Sequence, residues 1–320
     1  MYIQGMKKLR SAALLLMYLL TMPDSRAQVA GVGPFPEKVR RIVFLGNSIT
    51  YAGTYVQLIE TYFTIHYPKR HFEFIDMGLP SETVSGLSEP GHAGGKFPRP
   101  DLHERLARVL ALTKPDLVFV DYGMNDGIYM PFDEGRFDAF RSGMLWLHEE
   151  LAKTGAMIIH MTPPVYDEKI GRSKGYDGVM ERYSEWLLQQ KDSLGWRVAD
   201  IHAPMKKYLE YRRSRDSTYA FSEDGVHPDI MGHVIMAGEV LRYLGEPVGE
   251  TGSLLRVMGD EDANVYGLVH EKQEMMKDAW LTAAGHQRPG MKKGLPLEEA
   301  KVKEAAIDQA IGKRIRQLHR

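Results

Sequence analysis

Five short apolar runs, each followed by a longer amphipathic stretch, constrain this chain more than any other feature. Residues 41–45, 71–76, 116–120, 157–161 and 196–200 read as strands; residues 55–67, 101–112, 133–153, 176–192 and 228–244 read as the helices that alternate with them. Asp101 stands where a helix N-cap is expected. Strands that alternate with helices pair in parallel, with helices covering both faces of the sheet. The expected fold is therefore α/β: a three-layer sandwich around a five-stranded parallel sheet, within a main domain of residues 37–247.

Beyond Pro247 the pattern changes. Residues 260–284 and 297–318 read as charged, amphipathic helices, separated by the turn-rich segment Gly285-His286-Gln287-Arg288-Pro289-Gly290. A helical C-terminal extension over 248–320 is expected. The basic stretch Lys313-Arg314-Ile315-Arg316 fits a helix C-terminus, where cations complement the dipole. Trp280 and the 286–290 turn leave three roles open: shaping a pocket, clamping the domain, or meeting another copy of the chain.

The N-terminus carries an address. Lys7, Lys8 and Arg10 precede an apolar run over 11–22, and Ser25-Arg26-Ala27 supplies a small-x-small step before Gln28. That order describes a secretory signal peptide over 1–27, cleaved after Ala27, with export to the periplasm or beyond. The run is shorter than the roughly 20 residues of a spanning helix, so no stable membrane anchor is expected. With no cysteine in the chain, disulfides, thiolate metal sites and a cysteine nucleophile are excluded. A formal net charge of −1 gives no overall field to recruit nucleic acid or an anionic membrane.

In an open α/β sheet, ligands bind beyond the carboxyl ends of the strands, where the strand order reverses. Four segments near those ends carry chemistry. Gly46-Asn47-Ser48-Ile49-Thr50 presents a serine after a tight turn; its hydroxyl is a weak nucleophile unless a base takes the proton, and capping the next helix would explain it equally well. Asp76-Met77-Gly78 offers a backbone N–H unobstructed by a side chain, or a plain turn. Gly123-Met124-Asn125-Asp126 offers a neutral amide donor for a developing oxyanion, although turns favour Asn and Asp for local reasons too. Asp224-Gly225-Val226-His227-Pro228 places a carboxylate three residues before the residue type best suited as a base near neutral pH.

Taken together, these blocks resemble the SGNH hydrolases, also called the GDSL family, over about residues 40 to 245. One departure is Asn47, where family members commonly carry Asp; that position is not the nucleophile. The resemblance implies a flavodoxin-like SGNH hydrolase fold and a serine esterase acting on carboxylic ester bonds. It implies Ser48 as nucleophile, His227 as its base and Asp224 as the residue orienting His227. The N–H groups of Ser48 and Gly78 and the side chain of Asn125 would form the oxyanion hole. The α/β-hydrolase elbow Gly-x-Ser-x-Gly fits less well, since Thr50 occupies the last position and the acid lies close to the histidine.

No cofactor is expected. Gly31-Val32-Gly33 precedes the first strand, the wrong side for a dinucleotide fingerprint. No metal is expected either, because His92, His103, His160 and His202 lack ligand spacing and read as surface or packing residues. An exported esterase meets extracellular glycans, and the polar, turn-rich insertion 89–100 suggests an open, wet site. The expected substrate is thus a small acyl ester, an O-acetyl group on a carbohydrate, with Tyr51, Tyr129 and Phe132 as stacking surfaces or as plain loop packing. The alternatives are a lipase or lysophospholipase-type acylhydrolase, and a non-catalytic carbohydrate-binding module on the same fold.

Overall fold

A computed structural model describes residues 35–249, 254–256, 258 and 263–318. The segment read as an export signal lies outside them. The five strands are β1 (Arg41–Gly46), β2 (Glu73–Asp76), β3 (Leu117–Asp121), β4 (Met157–Met161) and β5 (Val198–Ala199). All neighbours pair in parallel, in the order β2-β1-β3-β4-β5. This is the flavodoxin-like three-layer arrangement, and its strand order reverses between β1 and β3.

Ile42 to Leu45 and Leu117 to Val120 are fully buried, as expected for central strands covered on both faces. On one face Phe44 stacks on Phe119 at 4.8 Å and on Phe74 at 6.3 Å, and Tyr55 meets Phe44 edge-on at 5.8 Å. These aromatic contacts fix the three strands whose ends carry the serine, the glycine and the asparagine.

The helices are α1 (Ser48–Ala52), α2 (Thr54–His66), α3 (Leu102–Thr113), α4 (Glu134–Ala152), α5 (Tyr176–Ser193), α6 (His202–Arg213), α7 (Ile230–Tyr243), α8 (Ala263–Ala284) and α9 (Leu297–Leu318). Asp101 caps α3 through the N–H of His103, and Asp133 caps α4 through that of Arg136. Four differences from the sequence expectation bear on how the fold is built. A separate short helix, α1, precedes α2, broken from it by left-handed Gly53. β5 shrinks to two residues because Asp200 turns away to take the Thr162 hydroxyl and the Ala203 N–H that opens α6. α6 buries His202, Met205 and Leu209, a stripe too thin to stand out among charged neighbours. α7 starts two residues after Pro228, since Asp229 is its cap.

The described residues from 37 to 318 form one compact unit. α8 packs on α2, β2, α3 and α9. Val265 and Val269 of α8 join Ile311 and Ile315 of α9 in a small core, with Ile65 of α2 against it. Trp280 is fully buried with the Lys301 ammonium over its ring. Among the described residues no helix is long and apolar enough to cross a membrane.

Candidate active site

β1 ends at Gly46, and Asn47 caps α1 by accepting the Ile49 N–H at 3.0 Å. The cap is therefore Asn47, which leaves Ser48 free as the first helical residue. Like any N–H in a first helical turn, that of Ser48 has no acceptor within its own helix. The Ser48 hydroxyl lies 2.8 Å from Nε2 of His227, and Nδ1 of His227 lies 2.6 Å from Oδ2 of Asp224. Residues 179 apart in sequence thus meet at one point.

Asp224 is held from several sides. Its Oδ1 accepts the N–H groups of Val226 and His227, each at 2.9 Å, and the Ser222 hydroxyl at 2.8 Å. Burial raises its pKa, but these donors and the imidazole outweigh burial and keep the carboxyl well below the usual range. A carboxylate ionised this firmly fixes the imidazole orientation, with the proton on Nδ1 and Nε2 facing the serine. The loop itself is anchored: Gly225 O accepts the Asp167 N–H at 2.8 Å, and Arg213 grips both oxygens of Asp167. Gly225 adopts φ 85°, and a side chain there would run into the Gly171 backbone at 2.5 Å. Behind His227, buried His233 has its pKa pushed down to about 4, by desolvation first and by His227 second, so it stays neutral.

Across the strand switch, Asn125 sits in the turn after β3. Its Nδ2 donates to Glu82 O at 3.1 Å. The next residue, Asp126, is fully buried and ties two loops together. Its Oδ1 accepts the N–H groups of Val84 and Ser85, and its Oδ2 accepts that of Gly123, all at 2.9 Å. Glu82 is itself fixed by a buried pair with Arg105 at 2.6 Å and by the Tyr122 hydroxyl at 2.6 Å.

Gly78 lies against the backbone of α1. A Cβ placed there would come 2.3 Å from Tyr51 N, 2.8 Å from the Thr50 carbonyl carbon and 2.9 Å from Asn47 O. Its N–H donates to Oδ1 of Asp76 at 2.8 Å, so it is already committed within its own turn and does not stand open to a substrate oxygen as the sequence suggested. Burial pushes Asp76 up to about 7. Gly78→Ala is expected to move α1, lowering kcat at least about tenfold and stability by roughly 1–3 kcal/mol, the usual cost of overpacking. Ester hydrolysis and thermal melting check both.

The model for the GDSL-like lipase/acylhydrolase family matches residues 44–235. The chain belongs to that family. Membership places it among carboxylic ester hydrolases. No curated protein gives a significant match. Among solved structures, the chain is similar to an acetylxylan esterase from Geobacillus stearothermophilus, in a variant at 24% identity and TM-score 0.52, over 66% of this chain and 97% of that one. It is also similar to an alpha/beta hydrolase enzyme from the metagenome of Lake Arreo, Spain, at 21% identity and TM-score 0.53, over 68% and 100%. A gut microbial diltiazem-metabolizing enzyme matches at 23% identity and TM-score 0.54, over 67% of this chain. The match spans only 48% of that enzyme's length. At these identities the likeness is one of fold.

The aromatic residues nominated for stacking are otherwise engaged. The Tyr51 hydroxyl donates to Asp278 at 3.0 Å, and the Lys277 ammonium lies 4.5 Å from its ring centre. The Tyr129 hydroxyl donates to Oδ1 of Asn125 at 2.9 Å, its ring set between Tyr166 and Tyr176. Phe132 carries the Arg182 guanidinium 4.2 Å from its ring centre and Phe137 at its edge. Each ring has a protein partner, as in the loop-packing role that the sequence also left open.

The site also contains a residue that sequence reasoning passed over. Arg99, in the polar insertion, is buried, and its Nη1 donates to Oδ1 of Asn125 at 3.1 Å. An arginine between two prolines in a turn-rich loop carries no local sign of that contact. Asp126 had a visible signal, as the last residue of the Gly-x-Asn-Asp block. Among the described residues no cluster of three His, Asp or Glu side chains is arranged to hold a metal ion.

Proposed function

We propose that this protein is an exported serine esterase that removes an acetyl group from a carbohydrate ester. The observation that carries the reading is the continuous Asp224–His227–Ser48 chain at 2.6 and 2.8 Å, at the carboxyl edge of the sheet and facing the strand switch. His227 takes the proton as Ser48 attacks the ester carbonyl, then returns it to the leaving alcohol; water repeats the cycle on the acyl-enzyme. The oxyanion is received by Nδ2 of Asn125 and the Ser48 N–H, donors placed before charge develops. Half of the His227 side chain is exposed, which suits a small acyl group on a bulky, solvated polymer. The basic and apolar N-terminus supports export, and the fold shared with an acetylxylan esterase supports the substrate class.

The test is a screen of acyl length and acceptor. kcat/KM is expected to be at least about tenfold higher for acetyl than for octanoyl esters of one alcohol, as each added methylene misfits a small acyl pocket. Acetate release from acetylated xylo-oligosaccharide should match or exceed that from a simple aryl acetate. Equal or faster cleavage of octanoyl esters would replace this reading with a lipase or lysophospholipase. A serine-reactive phosphonate should label the peptide bearing Ser48.

A further inference from the structure

The amide of Asn125 is held with unusual completeness. Its Oδ1 has two acceptor positions, and both are filled, by Nη1 of Arg99 at 3.1 Å and by the Tyr129 hydroxyl at 2.9 Å. These two donors fix which end of the amide is oxygen. On Nδ2, one hydrogen goes to Glu82 O, and the second remains for a ligand in the site. Arg99 in turn is fixed by Glu89, whose two oxygens take Nε at 2.7 Å and Nη2 at 2.8 Å, a paired geometry that sets the guanidinium plane. The Arg99 side chain is 5% exposed. The backbone bends to make this possible: Ile128 and Tyr129 adopt φ of 47° and 55°, a left-handed pair unfavourable for residues with side chains. That strained turn is what carries the Tyr129 hydroxyl onto Asn125.

We propose that Arg99 is a positioning residue of the oxyanion hole, holding the Asn125 amide with Nδ2 toward the substrate carbonyl and polarising it from behind as negative charge develops on that oxygen. The inference rests on the esterase reading given above. A cation hydrogen-bonded to an amide oxygen draws electron density from the nitrogen end and strengthens its remaining N–H as a donor. The effect grows with the charge on the far side, so it favours the transition state over the bound ester. Glu89 orients the guanidinium, and its partial exposure leaves its own charge partly solvated.

The experiment is a double-mutant cycle on an acetyl ester. Asn125→Ala is expected to lower kcat by about 10²–10³-fold, the usual loss of one such donor. Arg99→Met is expected to lower kcat by at least about tenfold with KM within about threefold of wild type. In the Asn125→Ala background, Arg99→Met should add almost nothing, because its route to the substrate is gone. Tyr129→Phe should show a smaller loss, coupled to Asn125 in the same way, and Arg99→Lys an intermediate one. An equal kcat loss from Arg99→Met in both backgrounds would overturn the proposal, as would a change confined to KM. Should Arg99→Met not fold, Arg99→Lys and Tyr129→Phe complete the same cycle with the same criterion. Full activity in Ser48→Ala would instead remove the esterase site itself, a result independent of any coupling between Arg99 and Asn125.

Discussion

Ser48→Ala is expected to lower kcat by on the order of 10⁶-fold while leaving the fold intact. The hydroxyl is small and sits at the first position of α1, whose cap is Asn47 and not the serine, so its removal costs the helix nothing. What is lost is the only hydroxyl within 2.8 Å of Nε2 of His227 among the described hydrogen bonds. His227→Ala should cost a similar factor, and the double variant should be no worse than either single one, because nucleophile and base act as a unit. Asp224→Asn should cost about 10⁴-fold, since an amide at that position favours the wrong imidazole tautomer. The remaining rate should still exceed water by about 10³–10⁴-fold, supplied by oxyanion donors and binding. Stopped assays on an acetyl ester, with thermal melting as the control for folding, read all four variants. A Ser48→Ala protein within tenfold of wild type would place the reactive group elsewhere.

The strands and the blocks that follow them were legible because each is local: an apolar run, a glycine, and a polar residue at the point where the chain leaves the sheet. The strand order, which only the family resemblance implied, brings the serine and asparagine to either side of the switch. What stayed hidden is what depends on distant side chains. Arg99 looks solvated in a polar insertion and is instead inserted behind Asn125. Tyr51 looks like a sugar platform beside the serine, yet its hydroxyl belongs to Asp278, 227 residues away. The turn after α8 was open to three roles. In the structure Arg288 donates to Pro80 O at 2.8 Å, and Arg108 holds the carbonyls of Ala284 and Gly285. The extension therefore touches the loop just beyond Gly78, a contact that no local pattern encodes.

Lys272→Met is expected to lower the melting temperature by roughly 10 °C, although residue 272 lies far from Ser48 in sequence. Its ammonium meets Glu60 of α2 at 2.6 Å and Asp308 of α9 at 2.8 Å, with the Lys272 and Glu60 side chains 9% and 1% exposed. Burial opposes a charge on Lys272, but the two carboxylates outweigh it and push its pKa up. Removing the cation leaves Glu60 buried without its counter-charge, a situation that costs about 3–5 kcal/mol. For a domain of this size each kcal/mol corresponds to about 2–4 °C. Adding Glu60→Gln should recover most of the loss, because a neutral amide has no charge to leave uncompensated while Gln273 remains within its reach. The extension also reaches the helix that carries Ser48: α2 follows directly on that helix, and Lys277 of α8 donates to the carbonyl of Tyr51 at 3.0 Å. If α8 shifts, the end of α1 shifts with it. Melting curves of the single and double variants decide the point, and a double variant no more stable than Lys272→Met would show that the ion pair is not what holds α8 to α2.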